Sequence, residues 1–164
     1  MSYFGTEYSP SEYYRICHAH YINEQSSAIK QILNQFEIKG RVIDLGCGDG
    51  LVTKLLSNID FVGIDSSPEM ISRYNNETKS KGIVGNFWDV LPKADMAIAS
   101  HCLHLCPISR MHEVRYRLQE AGVSKVIVTS PFKTTGELLK MNVRAKISSK
   151  TNEDKTVWGW ELEF

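Results

Sequence analysis

The stretch Arg41-Val42-Ile43-Asp44-Leu45-Gly46-Cys47-Gly48-Asp49-Gly50-Leu51 (RVIDLGCGDGL) decides the fold. Its first five residues form a short apolar run that reads as a buried strand. Gly46 to Gly50 make a glycine-rich turn, and Leu51 to Leu56 continue as a helix. The segments around it repeat the alternation. Phe61 to Asp65 (FVGID) is a second strand, and Ser67-Pro68-Glu69 opens a helix carrying Met70, Ile71 and Tyr74. Gly82 to Gly85 is a short third strand, Ala94 to Ser100 (ADMAIAS) a fourth and Lys125 to Ser130 (KVIVTS) a fifth. Between the last two, Ile108 to Ala121 is an amphipathic helix closed by Gly122. Upstream, Ser9-Pro10-Ser11-Glu12 starts a short helix that runs to about Cys17. A second helix spans Asn23 to Phe36, with Ile29, Ile32, Leu33 and Phe36 on one face. Downstream, Thr135 to Met141 reads as a helix. Arg144 to Ser149 and Thr156 to Phe164 read as strands joined at Asn152-Glu153-Asp154, with Trp158, Trp160, Leu162 and Phe164 alternating.

Short apolar strands alternating with helices predict an α/β fold: a doubly wound, mostly parallel, Rossmann-like sheet, here with an antiparallel C-terminal hairpin strand. One domain over residues 1–164 is expected, with 1–38 as a helical lid or substrate segment and 39–164 as a cofactor-binding core. The 164 residues suffice for a real core, and 42% hydrophobic with 23% charged residues is ordinary for a globular chain. Lysine plus arginine equals aspartate plus glutamate at 19 each, so global charge selects neither nucleic acid nor a membrane surface as partner. Cys17, Cys47, Cys102 and Cys106 form no C-x-x-C pair. The cluster His101, Cys102, His104 and Cys106 lacks the second spaced pair of a structural zinc site, so no metal is expected. Met1 to Tyr14 has no secretory pattern and no apolar run approaches the ~20 residues of a membrane helix, so a cytoplasmic chain with reduced thiols is expected.

In such a sheet, ligands sit beyond the carboxyl ends of the strands. Asp65 ends the second strand, where a carboxylate can accept both hydroxyls of a ribose. Together with the glycine turn it points to an adenosine-containing cofactor. A dinucleotide site wants G-x-G-x-x-G, but Leu51 stands in the third-glycine position. Asp44, two residues before the first glycine, suits a cationic ammonium better than an anionic pyrophosphate. Plainer roles remain open: a structural carboxylate for Asp44, a helix cap for Asp65, simple core for Met70.

VIDLGCGDG (Val42 to Gly50) resembles the first motif of class I S-adenosylmethionine-dependent methyltransferases. VGIDSSPEMI (Val62 to Ile71) is similar to that family's second strand and following helix, and IVGNFWDVLPKADMAIASHCLHLC (Ile83 to Cys106) to its third and fourth strands. The resemblance spans roughly residues 25 to 130, and departs where Gly85-Asn86 replaces the family's frequent Gly-Asp. It implies S-adenosylmethionine as cofactor. Asp44 would hold the methionine amino group, backbone at Gly46, Cys47 and Gly48 would line the cofactor, and Asp65 would take the ribose. Ser66 and Met70 would lie against adenine, Asn86 would accept from its exocyclic amine, the Phe87 amide would meet a ring nitrogen, and the Ser100 backbone would touch the methionine end.

The segment after the fourth strand should face the transferred methyl. His101 is the expected general base or substrate contact, with a pocket-lining histidine as the bland alternative. His104, Tyr14 and Tyr21 are the further substrate candidates. Tyr3, Phe4, Tyr8, Tyr13, Tyr14 and Tyr21 form either a lid or core packing. The chain lacks the Asn/Asp-Pro-Pro-aromatic signature of amino-methylating enzymes acting on DNA bases or glutamine amides. A small-molecule acceptor at O or N is the leading expectation. An RNA or protein methyltransferase, or a non-catalytic binding module in a complex, stand as alternatives. The basic run Lys140, Arg144, Lys146, Lys150 and Lys155 is either a solvated face or a nucleic-acid contact. A monomer or homodimer is expected.

Overall fold

The computed structural model describes the backbone of residues 2–3, 6–7 and 19–164 and the side chains of residues 24–164. Ser2–Tyr3 (β1) and Thr6–Glu7 (β2) pair antiparallel. The helix expected from Ser9 to Cys17, and Tyr14 with it, lie outside the described residues. So does the side chain of Tyr21, whose backbone belongs to Ala19–Leu33 (α1). The main elements follow as Arg41–Leu45 (β3), Leu51–Leu55 (α2), Asp60–Asp65 (β4), Pro68–Glu77 (α3), Lys81–Val84 (β5), Met96–Ser100 (β6), Met111–Glu120 (α4), Lys125–Ser130 (β7), Asn142–Lys150 (β8) and Thr156–Glu163 (β9). One seven-stranded sheet runs β5-β4-β3-β6-β7-β9-β8. β3 to β7 are parallel, β9 is antiparallel to β7, and β8 is antiparallel to β9.

Strand alternation sorts the core onto the two faces of the sheet. Val42, Met96, Ile98 and Ile127 point to the face covered by α1 and α2, where they meet Ile29, Ile32, Leu33 and Val52. Ile43, Leu45, Ala97, Ala99, Val126 and Val128 point to the other face and meet Val114 and Leu118 of α4 with Trp160 of β9. β3 leaves β4 on one side and β6 on the other, so the chain reverses its direction of travel between β3 and β6. That reversal opens a crevice at their carboxyl ends.

α1 ends three residues before Phe36, which packs partly buried beyond it. The helix expected over Thr135 to Met141 shrinks to a 3₁₀ turn over Thr135–Glu137. Trp160, fully buried, lies on Gly136 so closely that a Cβ there would overlap the indole. The Thr135 hydroxyl is tied to Ser130 Oγ at 2.8 Å, and Lys140 leaves the turn at φ 51°. Tertiary packing overrides the local helix preference. β8 is longer than its expected strand, with a register irregularity between Val143 and Ala145. Its basic residues are paired: Arg144 with Glu163 at 3.4 Å, Lys146 with Glu137 at 3.5 Å, Lys150 with Asp154 at 3.7 Å. Lys155, in the turn, pairs with Glu24 at 3.1 Å. No helix among the described residues is long and apolar enough to cross a membrane.

Candidate functional site

A cleft of about 250 Å³ opens at the carboxyl ends of β3, β4 and β6. The glycine turn after β3 folds back onto β4. Gly46 N–H and Cys47 N–H both donate to the Ile64 carbonyl, at 2.7 and 3.0 Å, and Gly50 N–H donates to the Cys47 carbonyl at 2.9 Å. Gly46, at φ 68°, takes a conformation that suits glycine. A Cβ there would lie 2.7 Å from Cys102 Cβ and 3.1 Å from Phe87 Cζ. Gly48 N–H donates to Asp65 Oδ2 at 3.0 Å, and Ser67 N–H donates to Asp65 Oδ1 at 2.9 Å. Each carboxylate oxygen therefore keeps acceptor capacity toward the cleft. The cap of α3 is Ser67, whose hydroxyl accepts from Met70 N–H at 3.3 Å, so Asp65 is not the capping residue. Burial raises the Asp65 carboxyl above its ordinary value, opposed by the two backbone donors.

Asp44 is buried beneath the turn. Thr53 Oγ1 donates to Asp44 Oδ2 at 2.9 Å and accepts from the Tyr74 hydroxyl at 2.8 Å. Tyr74 reaches this position because Gly63 and Gly82 leave room for its ring over β4 and β5. Burial pushes the Asp44 carboxyl up to about 7, with the Thr53 bonds holding it down and the charges of Asp65 and Asp49 adding to the rise. A group that brings a positive charge to Asp44 restores its ionised form.

This arrangement tests the two cofactor chemistries. The N–H groups of Gly46, Cys47, Gly48 and Gly50 are spent within the protein, and α2 is only five residues long. The turn thus does not present the amide cradle that holds a pyrophosphate. Two carboxylates, one with open acceptor sites and one that seeks a cation, fit the ribose hydroxyls and the ammonium of S-adenosylmethionine.

On the β6 side the wall changes character. His101 stands at φ 56°, an uncommon left-handed conformation at the strand end, fixed by its N–H donating to the Thr129 carbonyl at 2.8 Å. Its Nδ1 lies 3.0 Å from Thr129 Oγ1 and its Nε2 lies 2.6 Å from Gln25 Oε1. Thr129 Oγ1 also meets Ser100 Oγ at 2.7 Å. The side chains of Ser100, Thr129, His101 and Gln25 thus form one continuous hydrogen-bonded chain. Both ring nitrogens of His101 are engaged. His104 lies on the 3₁₀ turn Leu103–Leu105, edge-on to Phe132 with centroids 4.9 Å apart. Its Nδ1 is buried without a hydrogen-bond partner, and burial lowers its pKa.

Asp44, Gly46, Cys47, Gly48, Asp65, Ser66, Met70, Asn86, Phe87, Ser100, His101 and His104 all line this one cleft. Met70 is at once a lining residue and buried. Asn86 N–H is engaged by Asp89 Oδ2 at 2.8 Å. Sequence reasoning missed Thr53, Gln25 and Thr129, which hold Asp44 and His101, and gave Tyr74 only a place on its helix. Thr53 carries a local signal, a hydroxyl on the first turn after the glycines. Gln25 and Thr129 reach His101 across 76 and 28 residues, so no local pattern marks them. No group of three or more metal-ligating side chains forms among the described residues.

Solved structures share this architecture. A protein from Pyrococcus horikoshii OT3 superposes with a TM-score of 0.73 at 16% identity, over 96% of this chain and 99% of that one. The O-methyltransferase NcsB1 of neocarzinostatin biosynthesis, solved with S-adenosyl-L-homocysteine and 1,4-dihydroxy-2-naphthoic acid, gives 0.71 at 18% identity over 94% and 58%. Magnesium protoporphyrin IX methyltransferase from Synechocystis PCC 6803, solved with bound S-adenosylmethionine, gives 0.62 at 14% over 97% and 86%. No curated protein matches the chain by sequence. Residues 36–161 match a family model described as a methyltransferase domain, and that match covers β3 to β9 apart from its last residues. With the glycine turn and both carboxylates inside it, the chain belongs to this methyltransferase-domain family, among the class I S-adenosylmethionine-dependent methyltransferases.

Proposed function

We propose that this methyltransferase passes its methyl group to a small-molecule acceptor at oxygen or nitrogen, with Asp65 and Asp44 fixing the two ends of the donor. The observation that carries the reading is the division of the cleft. The carboxylates lie at the ends of the neighbouring strands β4 and β3, and β6 lies on the far side of β3. A donor spanning Asp65 and Asp44 directs its sulfur end toward the residues that follow β6.

Asp65 accepts the ribose hydroxyls while Gly48 and Ser67 keep its carboxylate in place. Asp44, steadied by Thr53 and Tyr74, holds the ammonium. Ser66 and Met70 flank the adenine, Asn86 and the Phe87 amide meet its polar edge, and the backbone of Gly46, Cys47 and Ser100 lines the rest. Bound S-adenosylmethionine supplies an electrophilic sulfonium methyl. The protein supplies alignment and exclusion of water. His101, held at both nitrogens, fits a wall that orients the acceptor.

Two of the structural relatives carry names or ligands that are small aromatic or macrocyclic molecules, which supports the small-molecule reading. The ion-paired basic residues of β8 support a solvated face there. Calorimetry with S-adenosylmethionine, S-adenosylhomocysteine and NAD is the first test. Micromolar binding of the two sulfur compounds with none of NAD is expected, and preferential NAD binding overturns the donor assignment. Labelled-methyl transfer into a metabolite extract, against RNA and protein, then tests the acceptor class. Label appearing only in RNA or protein refutes it.

A further inference from the structure

We propose that Tyr74 is a positioning residue of the donor site: through Thr53 its hydroxyl holds Asp44 as an acceptor for the cationic end of S-adenosylmethionine, and it acts on that end alone. The inference rests on the methyl-transfer reading above and deepens it.

Two observations carry it. The first is where the ring is put. Tyr74 of α3 is wholly buried, and neither it nor Thr53 lines the cleft, whereas Asp44 does. Backbone makes room for the ring. A Cβ on Gly63 of β4 would lie 2.7 Å from Tyr74 Cζ, and one on Gly82 of β5 would lie 3.1 Å from its Cδ1. Packing alone would ask only for an apolar ring. Here the ring is threaded so that its one polar atom ends 2.8 Å from Thr53 Oγ1.

The second observation is the direction of the relay. An ionised carboxylate only accepts hydrogen bonds. Thr53 therefore gives its single hydroxyl proton to Asp44 Oδ2, at 2.9 Å, and its oxygen receives from Tyr74. Burial pushes the Tyr74 hydroxyl up, so it keeps the proton that this requires. A helical threonine on its own can turn its hydroxyl onto a carbonyl of the preceding turn and leave Asp44 short of a donor. A tyrosine proton on the threonine oxygen favours the orientation that donates to Asp44 and strengthens that bond. The nucleoside end is held differently: Asp65 takes its bonds from Gly48 N–H and Ser67 N–H, and Tyr74 has no part in them. The influence of the tyrosine is thus confined to the amino-acid end of the donor.

The test titrates the full chain and its Tyr74→Phe variant with two ligands. S-adenosylhomocysteine carries the ammonium, and 5′-methylthioadenosine keeps the nucleoside and thioether without it. At pH 7 the variant should bind S-adenosylhomocysteine about fivefold more weakly, and 5′-methylthioadenosine within about twofold of the unaltered chain. The curve of S-adenosylhomocysteine affinity against pH should also move up by about half a unit, because Asp44 with a weaker donor holds its proton longer. Asp49 and Asp65 face Asp44 from the turn and from β4, and the Cys47 and Cys102 thiols, both pushed up by burial, lie near it. Lys54 of α2 is spent on Asp49 and Glu77, at 3.7 and 2.6 Å. These groups and the two histidines past β6 are common to both proteins, so the difference between the curves reports Asp44. Thr53→Val cuts the relay nearer the carboxylate, and adding Tyr74→Phe to it should change the affinity by less than about twofold. If Tyr74→Phe does not melt cooperatively, Thr53→Val carries the same two-ligand comparison. Unchanged affinity for S-adenosylhomocysteine, an equal loss for both ligands, or a full further loss in the Thr53→Val background overturns the role of Tyr74. Failure of the unaltered chain to bind S-adenosylhomocysteine overturns the function reading itself, a result distinct from these.

Discussion

The carboxylate at the end of β4 is held by two backbone N–H groups, and the one at the end of β3 by a threonine that a tyrosine steadies in turn. Just past the end of β6, by contrast, His104 keeps a buried ring nitrogen with no partner, against a wall of leucine, proline and phenylalanine. The half of the cleft that we propose holds the donor is already fixed by the protein's own hydrogen bonds. The half proposed to face the acceptor keeps one buried ring nitrogen without a hydrogen-bond partner. A shared donor calls for fixed polar groups, whereas discrimination among acceptors calls for shape and a single unsatisfied atom.

The sharpest way to break this contrast is Asp65→Ala. It removes two charge-assisted acceptors, so the affinity for S-adenosylhomocysteine should fall about a hundredfold, or about 3 kcal/mol. Calorimetry giving wild-type affinity would show that the donor half is not organised around this carboxylate. Gly46→Ala comes next. The φ of 68° and the 2.7 Å approach of Cys102 Cβ predict a loss of about 2 kcal/mol, read as a melting temperature lower by about 5 °C. An unchanged melting curve would mean that the turn yields where it is expected to be rigid.

The pH dependence of donor binding is the third measurement. Asp44 titrates at about 7 in the free protein and must be ionised to pair with an ammonium. Affinity should therefore rise about tenfold from pH 6 to pH 8. The stability of the ligand-free protein moves the other way. Between the ordinary value of 3.8 and about 7 the folded state binds more protons than the unfolded one, so this group's contribution weakens as pH rises. Flat affinity across that range would remove Asp44 from the donor site. The smallest effect belongs to Gln25→Leu, which removes the Gln25 contact to His101 Nε2. About 1 kcal/mol of stability should be lost, with donor affinity unchanged. Weakened donor binding in this variant would show that the two halves are not separable.

The same contrast explains what could be read from the sequence. The donor half is built from contiguous chain. Asp44 and the glycines lie within seven residues and Asp65 closes the next strand, so spacing and charge marked them as candidates, while Thr53, nine residues after Asp44, was missed. Parallel strands and helices were legible for the same reason. The other side of the cleft is assembled from the end of β6, the segment after β7 and a glutamine of α1. His104, a substrate candidate from the sequence, does line the cleft, but its buried Nδ1 and its edge-on contact with Phe132 depend on packing that no local pattern marks. The missing helix over Thr135 to Met141 fails likewise, because Trp160, some twenty residues on, dictates the path of Gly136. The helix-cap alternative for Asp65 falls because Met70 N–H donates to Ser67 Oγ.

One consequence of the strand order concerns synthesis. β9 follows β8 in the chain, yet it lies inside the sheet between β7 and β8, with Trp160 fully buried. While the ribosome is still extending the chain, β3 to β7 can pair, but the outer flank of β7 stays bare until residues 156 to 163 emerge. The cleft residues are thus translated early and locked late. A nascent chain paused before Trp158 presents an unpaired edge beside Val126 and Val128, which is where chaperone capture or mispairing between chains would begin.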